Sequence, residues 1–230
     1  MNPADGYGVI DTLPERKYLR QLLMEMPPDQ PVVLVGSWAR GTAISPFSDI
    51  DVVVIGTSPP VLAPPRIQMM VIAPEELRRR LMIGDDFPQW ALRFGVPIYG
   101  RASWDALRAT LLSVAPWPDP TKKLDQAKRK RDVAKTLLDM GDVPAAEEEA
   151  RFALSHLARA RLLSAHVFPL SRPELPNQVR EIGDADLAAL MSRANSPEQM
   201  TEQEVRNAIL FVDQRLRTER FGSQERASTP

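Results

Sequence analysis

A turn and a strand near the start of the sequence bring together residue types that can hold a polyphosphate. Gly36-Ser37-Trp38-Ala39-Arg40-Gly41-Thr42 follows directly on the apolar run Pro31-Val32-Val33-Leu34-Val35. After a short loop comes Ser48-Asp49-Ile50-Asp51-Val52-Val53-Val54. A turn that leaves a strand and opens a helix points backbone N–H groups at an anion, and glycine lets a phosphate approach the chain closely. Ser37 adds a hydroxyl donor, and Arg40, one turn further on, is within reach of phosphate oxygens. Strand alternation puts Asp49 and Asp51 on one face, with Ile50, Val52 and Val54 on the other. Two neighbouring carboxylates are costly without a cation. Hard oxygens beside a phosphate cradle favour Mg²⁺, which keeps waters and substrate phosphates in its shell. In-line displacement at an α-phosphorus needs such a site, where paired metals about 3.5–4 Å apart activate the attacking oxygen and neutralise the leaving pyrophosphate.

The combination resembles the signature of the DNA polymerase β superfamily of nucleotidyltransferases, a Gly-Ser pair followed by Asp-x-Asp on the next strand. Eleven residues separate Ser37 from Asp49. The resemblance covers residues 32–72 and extends more weakly to Gly100. It implies that Asp49 and Asp51 are catalytic and hold two Mg²⁺, and that Gly36, Ser37 and Arg40 bind a nucleoside triphosphate. The activity implied is transfer of a nucleoside monophosphate, AMP first, to a hydroxyl of a small molecule, with release of pyrophosphate. The acceptor is expected in a cleft between the two halves of the chain. Toxin-type members of the superfamily act instead on tRNA or on a partner protein, which is the alternative acceptor class. A Walker A reading fails, because Thr42 stands where the phosphate-binding lysine must be.

One position departs from the family's pattern. The third carboxylate usually comes from the following strand, and Gln68 takes that place. An amide ligates a metal only through a neutral oxygen and cannot act as a general base. The base then comes from elsewhere, with Asp85, Asp86 and Glu147–Glu149 as candidates, or metal binding is weaker, or the site binds nucleotide without turning it over. Asp85-Asp86 also reads as an N-cap. The glutamate run also reads as acids in a helix's first turn, where they suit the dipole.

The elements that must position these residues follow from periodicity and punctuation. A helix is expected from Pro14 to Met26, stopped by Pro27-Pro28-Asp29, then a buried strand over residues 32–35. Strands follow at Asp49–Ile55, Ile67–Ile72 and Val96–Tyr99. A helix opens at Pro74, another lies near Phe87–Phe94, and a third starts with Ser103 as its N-cap and runs to Ser113. Pro116-Trp117-Pro118-Asp119-Pro120 breaks regular structure and marks a boundary. Beyond it the pattern is helical: Thr121–Met140, then Pro144–Ala165 with Ala146, Ala150, Ala153, Leu157 and Ala160 on one stripe. Shorter helices follow near Arg172–Ile182 and Ala185–Arg193. The last starts at Thr201, where Glu204 completes a capping-box spacing. The fold class is α+β: a nucleotidyltransferase domain of mixed sheet and helices over residues 1–115, a helical bundle over 121–220, and a disordered tail over 221–230.

Residues Lys122–Ser164 resemble the helical domain of HEPN or kanamycin-nucleotidyltransferase type that accompanies small bacterial nucleotidyltransferases. Lys122, Lys123, Lys128, Arg129, Lys130, Arg131 and Lys135 spread around its first helix, which reads as a solvated face that a nucleic-acid acceptor would also use. Arg161 and His166 have the Arg-x4-His spacing of HEPN ribonucleases, but Leu162 replaces the usual polar neighbour and the pair falls at a helix end.

Composition narrows the remaining classes. The chain has 230 residues, 43% hydrophobic and 26% charged, enough to bury about 70% of its unfolded surface. With no cysteine and only two histidines, thiolate chemistry and histidine-cluster metal sites are excluded, and a reducing cytoplasm suits the protein. A net charge of −1 creates no global field toward nucleic acid. No apolar run reaches membrane-spanning length, and no signal peptide is expected. Homodimer formation is left open.

Overall fold

The computed structural model describes residues 7–42, 49–57 and 63–226, with side chains over positions 9 to 218 of these. Ser48 and residues 227–230 of the expected tail lie outside the described residues. In chain order the elements are α1 (Tyr7–Ile10), α2 (Arg16–Met24), β1 (Val32–Val35), α3 (Gly36–Ala39), β2 (Ile50–Ile55), β3 (Ile67–Ile72), α4 (Pro74–Met82), α5 (Asp86–Phe94), β4 (Val96–Tyr99) and α6 (Arg101–Val114). Helices follow: α7 (Pro120–Asp139), α8 (Val143–Ser164), a 3-10 turn (Arg172–Glu174), α9 (Leu175–Glu181), α10 (Ala185–Ala194) and α11 (Glu202–Arg226). The fold is α+β, a mixed sheet followed by helices. The chain divides into two compact units, Met1–Pro118 and Asp119–Pro230. Among the described residues no helix is long and apolar enough to cross a membrane.

The sheet of the first unit has the order β3-β2-β1-β4. β1 runs antiparallel to both β2 and β4, and β2 runs parallel to β3. Helices cover both faces, so the central strands read as unbroken apolar runs instead of alternating ones. All four residues of β1 are buried. On one face Val32, Leu34, Ile50, Val52 and Val54 pack with Ile10, Leu19 and Leu22 from α1 and α2. On the other, Val33, Val35, Val53, Ile55 and Ile72 pack with Leu77 and Leu81 of α4, Leu92 of α5, and Trp104 and Leu111 of α6.

Several boundaries differ from the sequence expectation. α6 starts at Arg101, not after Ser103, because Gly100 caps it in the left-handed conformation (φ +59). A side chain there would put its Cβ 2.8 Å from the Gln30 carbonyl oxygen, so glycine at that point permits the close crossing. α2 starts at Arg16, two residues beyond Pro14. α8 starts at Val143 behind the Asp142 cap, which puts Glu147–Glu149 in the second turn, too far along for the dipole role.

In the second unit α7 and α8 form an antiparallel hairpin, as their short connection requires. Small residues line the seam: Ala127 and Ala134 from α7, and Ala146, Ala150 and Ala153 from α8, all at 1% exposure or less. Leu157, Leu175, Leu187, Val205 and Val212 fill the same core. The cap on α11 is reciprocal. Glu204 Oε2 accepts from the Thr201 backbone N–H at 2.7 Å, and Thr201 Oγ1 accepts from the Glu204 N–H at 3.3 Å.

Leu34→Ala, which opens a cavity at the fully buried centre of the sheet, is expected to cost about 2–5 kcal/mol. Thr201→Ala is expected to cost about 1 kcal/mol. Denaturant titration checks both, and equal losses would contradict the packing described.

Candidate functional site

β1 ends at Val35, and the chain turns at Gly36 with φ +74 into the single turn of α3. Val35 is opposite Asp51 in the antiparallel register. A chain leaving β1 therefore passes over the Asp51 side chain. The approach is so close that a Cβ on Gly36 would sit 2.2 Å from Asp51 Oδ2. Glycine is thus required twice at this point, for its left-handed conformation and for the space it leaves. The Ser37 carbonyl closes the turn by accepting from the backbone N–H groups of Arg40 at 3.3 Å and Thr42 at 3.0 Å. Trp38, the next residue, packs against the α1–α2 face of the sheet, away from Asp51.

β2 begins at Ile50, so Asp49 stands just outside the strand and is exposed, while Asp51 is half-buried. Asp51 shares its face of the sheet with Val53 and Ile55, the face covered by α4, α5 and α6. Burial, and then the neighbouring charge of Asp49, push the Asp51 carboxyl above its ordinary value of 3.8. Gln68 lies opposite Asp51 in the parallel register, and its Nε2 donates to Asp49 Oδ2 at 3.0 Å. The three side chains therefore meet where β2 and β3 begin, beside the Gly36 turn.

Arg40 is on the same side of the sheet. Its guanidinium lies over the ring of Phe94 at 4.9 Å, and at 6.0 Å from that of Trp90. Those two α5 rings are tilted against each other with centroids 5.2 Å apart. Sequence reasoning does not reveal the part Trp90 plays in seating Arg40. The one available signal was the i, i+4 spacing of two aromatics on one helix face.

The other expected candidates have structural partners. Asp85 caps α5, accepting from the Phe87 N–H at 3.1 Å, and Asp86 is in that helix's first turn. In the second unit, Glu147 accepts from Arg151 and from the Met200 N–H at 3.1 Å. Glu149 pairs with Lys130 at 2.9 Å, and Glu148 with Arg172 at 3.7 Å. Arg161 is 3.4 Å from the buried Asp184, and His166 lies beyond the end of α8 with φ +56.

The donor set beside Gly36 fits a hard divalent cation. Two carboxylates stand side by side, one of them held where its charge is disfavoured by burial and by its neighbour. Among the described residues no group of three or more His, Asp or Glu could hold a metal, so such an ion would complete its shell with water and phosphate oxygens, as Mg²⁺ commonly does.

Residues 16–86 match the family model of the nucleotidyltransferase domain. The match runs from α2 to the start of α5 and contains Gly36, Ser37, Asp49, Asp51 and Gln68. No curated protein matches the chain. Among solved structures it is similar to a nucleotidyltransferase-like protein from Exiguobacterium sibiricum 255-15, with a TM-score of 0.48 and 19% identity over 89% of this chain and 74% of that one.

Gly36→Ala is expected to lose about 1–2 kcal/mol from the left-handed backbone alone, and more as the Asp51 carboxylate is displaced; thermal unfolding reads this. Because the folded-state pKa of Asp51 is raised, its stabilising contribution is present below pH 3.8 and is lost as pH rises through the raised value. Asp51→Asn should therefore melt higher than the parent at neutral pH in metal-free buffer. An unchanged or lower melting temperature would refute the electrostatic account.

Proposed function

We propose that this chain, whose residues 16–86 match the nucleotidyltransferase domain, transfers a nucleoside monophosphate, AMP first, from a magnesium-bound triphosphate to a hydroxyl of a small molecule. The observation that carries the reading is the contact between the Gly36 turn and Asp51, where a Cβ would fall 2.2 Å from the carboxylate. That contact sets the backbone turn directly beside the acid pair. In this reading the turn at Gly36–Ser37 cradles the phosphates, and the Ser37 hydroxyl donates to one of them. Asp49 and Asp51 hold the cation. Arg40, seated on Phe94 and Trp90, steadies the turn and faces the triphosphate.

The acceptor oxygen attacks the α-phosphorus, the bond from that phosphorus to the bridging oxygen breaks, and pyrophosphate leaves. Bound Mg²⁺ supplies charge neutralisation for the attacking and leaving oxygens. The acceptor's proton leaves to solvent at the open side of the site, where Asp49 is exposed. Gln68 cannot take it, and the Asp85 carboxylate is occupied by its cap.

One observation favours a second reading, a nucleotide-binding module that does not turn over. Gln68 stands opposite Asp51 and spends its amide N–H on Asp49, so this position adds no negative charge.

Incubation with triphosphate labelled at the α-phosphorus, against panels of hydroxylated small molecules and of RNA, separates these cases. Label on a small molecule with matching pyrophosphate release supports the proposal; label on RNA sinks the small-molecule acceptor. Magnesium-dependent binding with no label on any acceptor sinks transfer in favour of the binding module. Asp49→Asn and Asp51→Asn are each expected to lower transfer about a hundredfold or more, as removing preorganised charge stabilisation does. Ser37→Ala, which removes one hydrogen bond, is expected to lower it about tenfold. Full activity in either aspartate variant would remove the cation assignment.

A further inference from the structure

The second unit contains a row of cations that the reading above does not use. α7 and α8 run antiparallel from their short connection, and Lys130 on α7 meets α8 at two points. Its Nζ is 2.9 Å from a Glu149 carboxylate oxygen and 4.9 Å from the centre of the Phe152 ring. Seven residues earlier on α7, on the same helix face, is the buried Lys123. Four and seven residues beyond Phe152 on α8, also on one face, are His156 and Arg159. Antiparallel packing brings these two stretches together. Arg172, from the 3-10 turn, adds its guanidinium to the same Phe152 ring at 4.6 Å.

Charge in this row is balanced only in part, and Lys123 donates to Gln126 Oε1 at 3.0 Å. Lys130 has Glu149, and Arg172 has Glu148 at 3.7 Å. Arg159 is half-buried and has no carboxylate partner among the described residues. His156 Nδ1 is buried without a hydrogen-bond partner. Burial holds the imidazole down to about 4, and so do the charges acting on it from Arg159, Lys123, Lys130 and Arg129, all of them cations. Burial and Arg172 likewise depress the Arg159 guanidinium. Clustering like charges around a half-buried arginine and an unsatisfied imidazole is costly in the free protein. One oxyanion between them would relieve both, accepting from the arginine fork and from the ring nitrogen.

We propose that the face formed by Lys123, Lys130, His156, Arg159 and Arg172 is a phosphate-binding site of the helical unit. Phosphate is the group that matches several converging N–H donors with a compact, multiply charged set of oxygens. It can come from a free polyphosphate or from the backbone of a nucleic acid. The site is independent of transfer at Asp51 and stands if that reading fails.

The two histidines of the chain make the test site-specific. In full-length protein labelled at histidine, in magnesium-free buffer with chelator, the imidazole signals are assigned with His166→Gln and followed while inorganic pyrophosphate or a short oligouridylate is added. The expected result is movement of the His156 signal, a titration midpoint rising from about 4, and no movement of His166. Saturation by pyrophosphate at low concentration assigns the phosphate to a free polyphosphate. Response to the oligouridylate alone, weakening steeply with salt, assigns it to a nucleic-acid backbone. Arg159→Met should weaken the effective ligand about tenfold or more. Arg129→Met, at an exposed position that the core does not need, should weaken it less and tests the same field should the first variant fail to fold. A His156 signal unmoved by either ligand, or affinity unchanged in both variants, overturns the site.

Discussion

The first unit depends on a single close approach, the backbone of Gly36 passing over the carboxylate of Asp51. The approach is a consequence of strand register. β1 and β2 pair so that Val35 faces Asp51, and the turn that follows β1 passes against that side chain. Register is in turn held by burial on both faces. A slip of one residue would move Asp51 to the face that packs with Ile10, Leu19 and Leu22, an apolar layer that disfavours an ionised carboxylate. The two hydrophobic layers therefore do more than stabilise the sheet. They determine which face the acid occupies and hence what it stands beside.

That arrangement stores an electrostatic cost. Asp51 is half-buried beside a second acid, and both effects disfavour its charge. The Gln68 amide relieves part of the cost by donating to Asp49, and does so without adding a third negative charge. Sites built for a charged ligand commonly carry such strain in the free protein, offset by the core around them. Here the offset comes from the buried strands β1 and β2, and from α4, α5 and α6 packed on the same face as Asp51.

The helical unit shows a different division of labour among its charges. Small residues along α7 and α8 let the helices approach closely, and several acids of the unit are engaged in its own packing. Glu147 binds Arg151 and the Met200 N–H just ahead of α11. Asp184 accepts from Leu187 and Arg215 while standing beside Arg161. The two cations on Phe152 have Glu149 and Glu148, whereas Arg159 beside them has no carboxylate among the described residues and the His156 Nδ1 no hydrogen-bond partner. One bundle thus holds paired charges that serve its own packing and, beside them, several cations crowded around His156.

Local chemistry was readable before any coordinates. The β-branched runs, the Gly-Ser turn, the Asp-x-Asp spacing, the proline boundary and the alanine stripe of α8 each express a preference set within a few residues. The sheet strands and most helices follow from them. Helix starts were less secure: α6 opens at Arg101 because Gly100 must cross close to Gln30, a contact between positions seventy residues apart in the sequence. The candidate site divides along the same line. Which residues could carry charge and which turn could cradle an anion was written locally. That Gly36 touches Asp51, that Gln68 donates to Asp49, and that Arg40 rests on Phe94 depends on strand register and on the packing of α5 against the sheet. Those are relations between distant segments, and only a folded chain makes them.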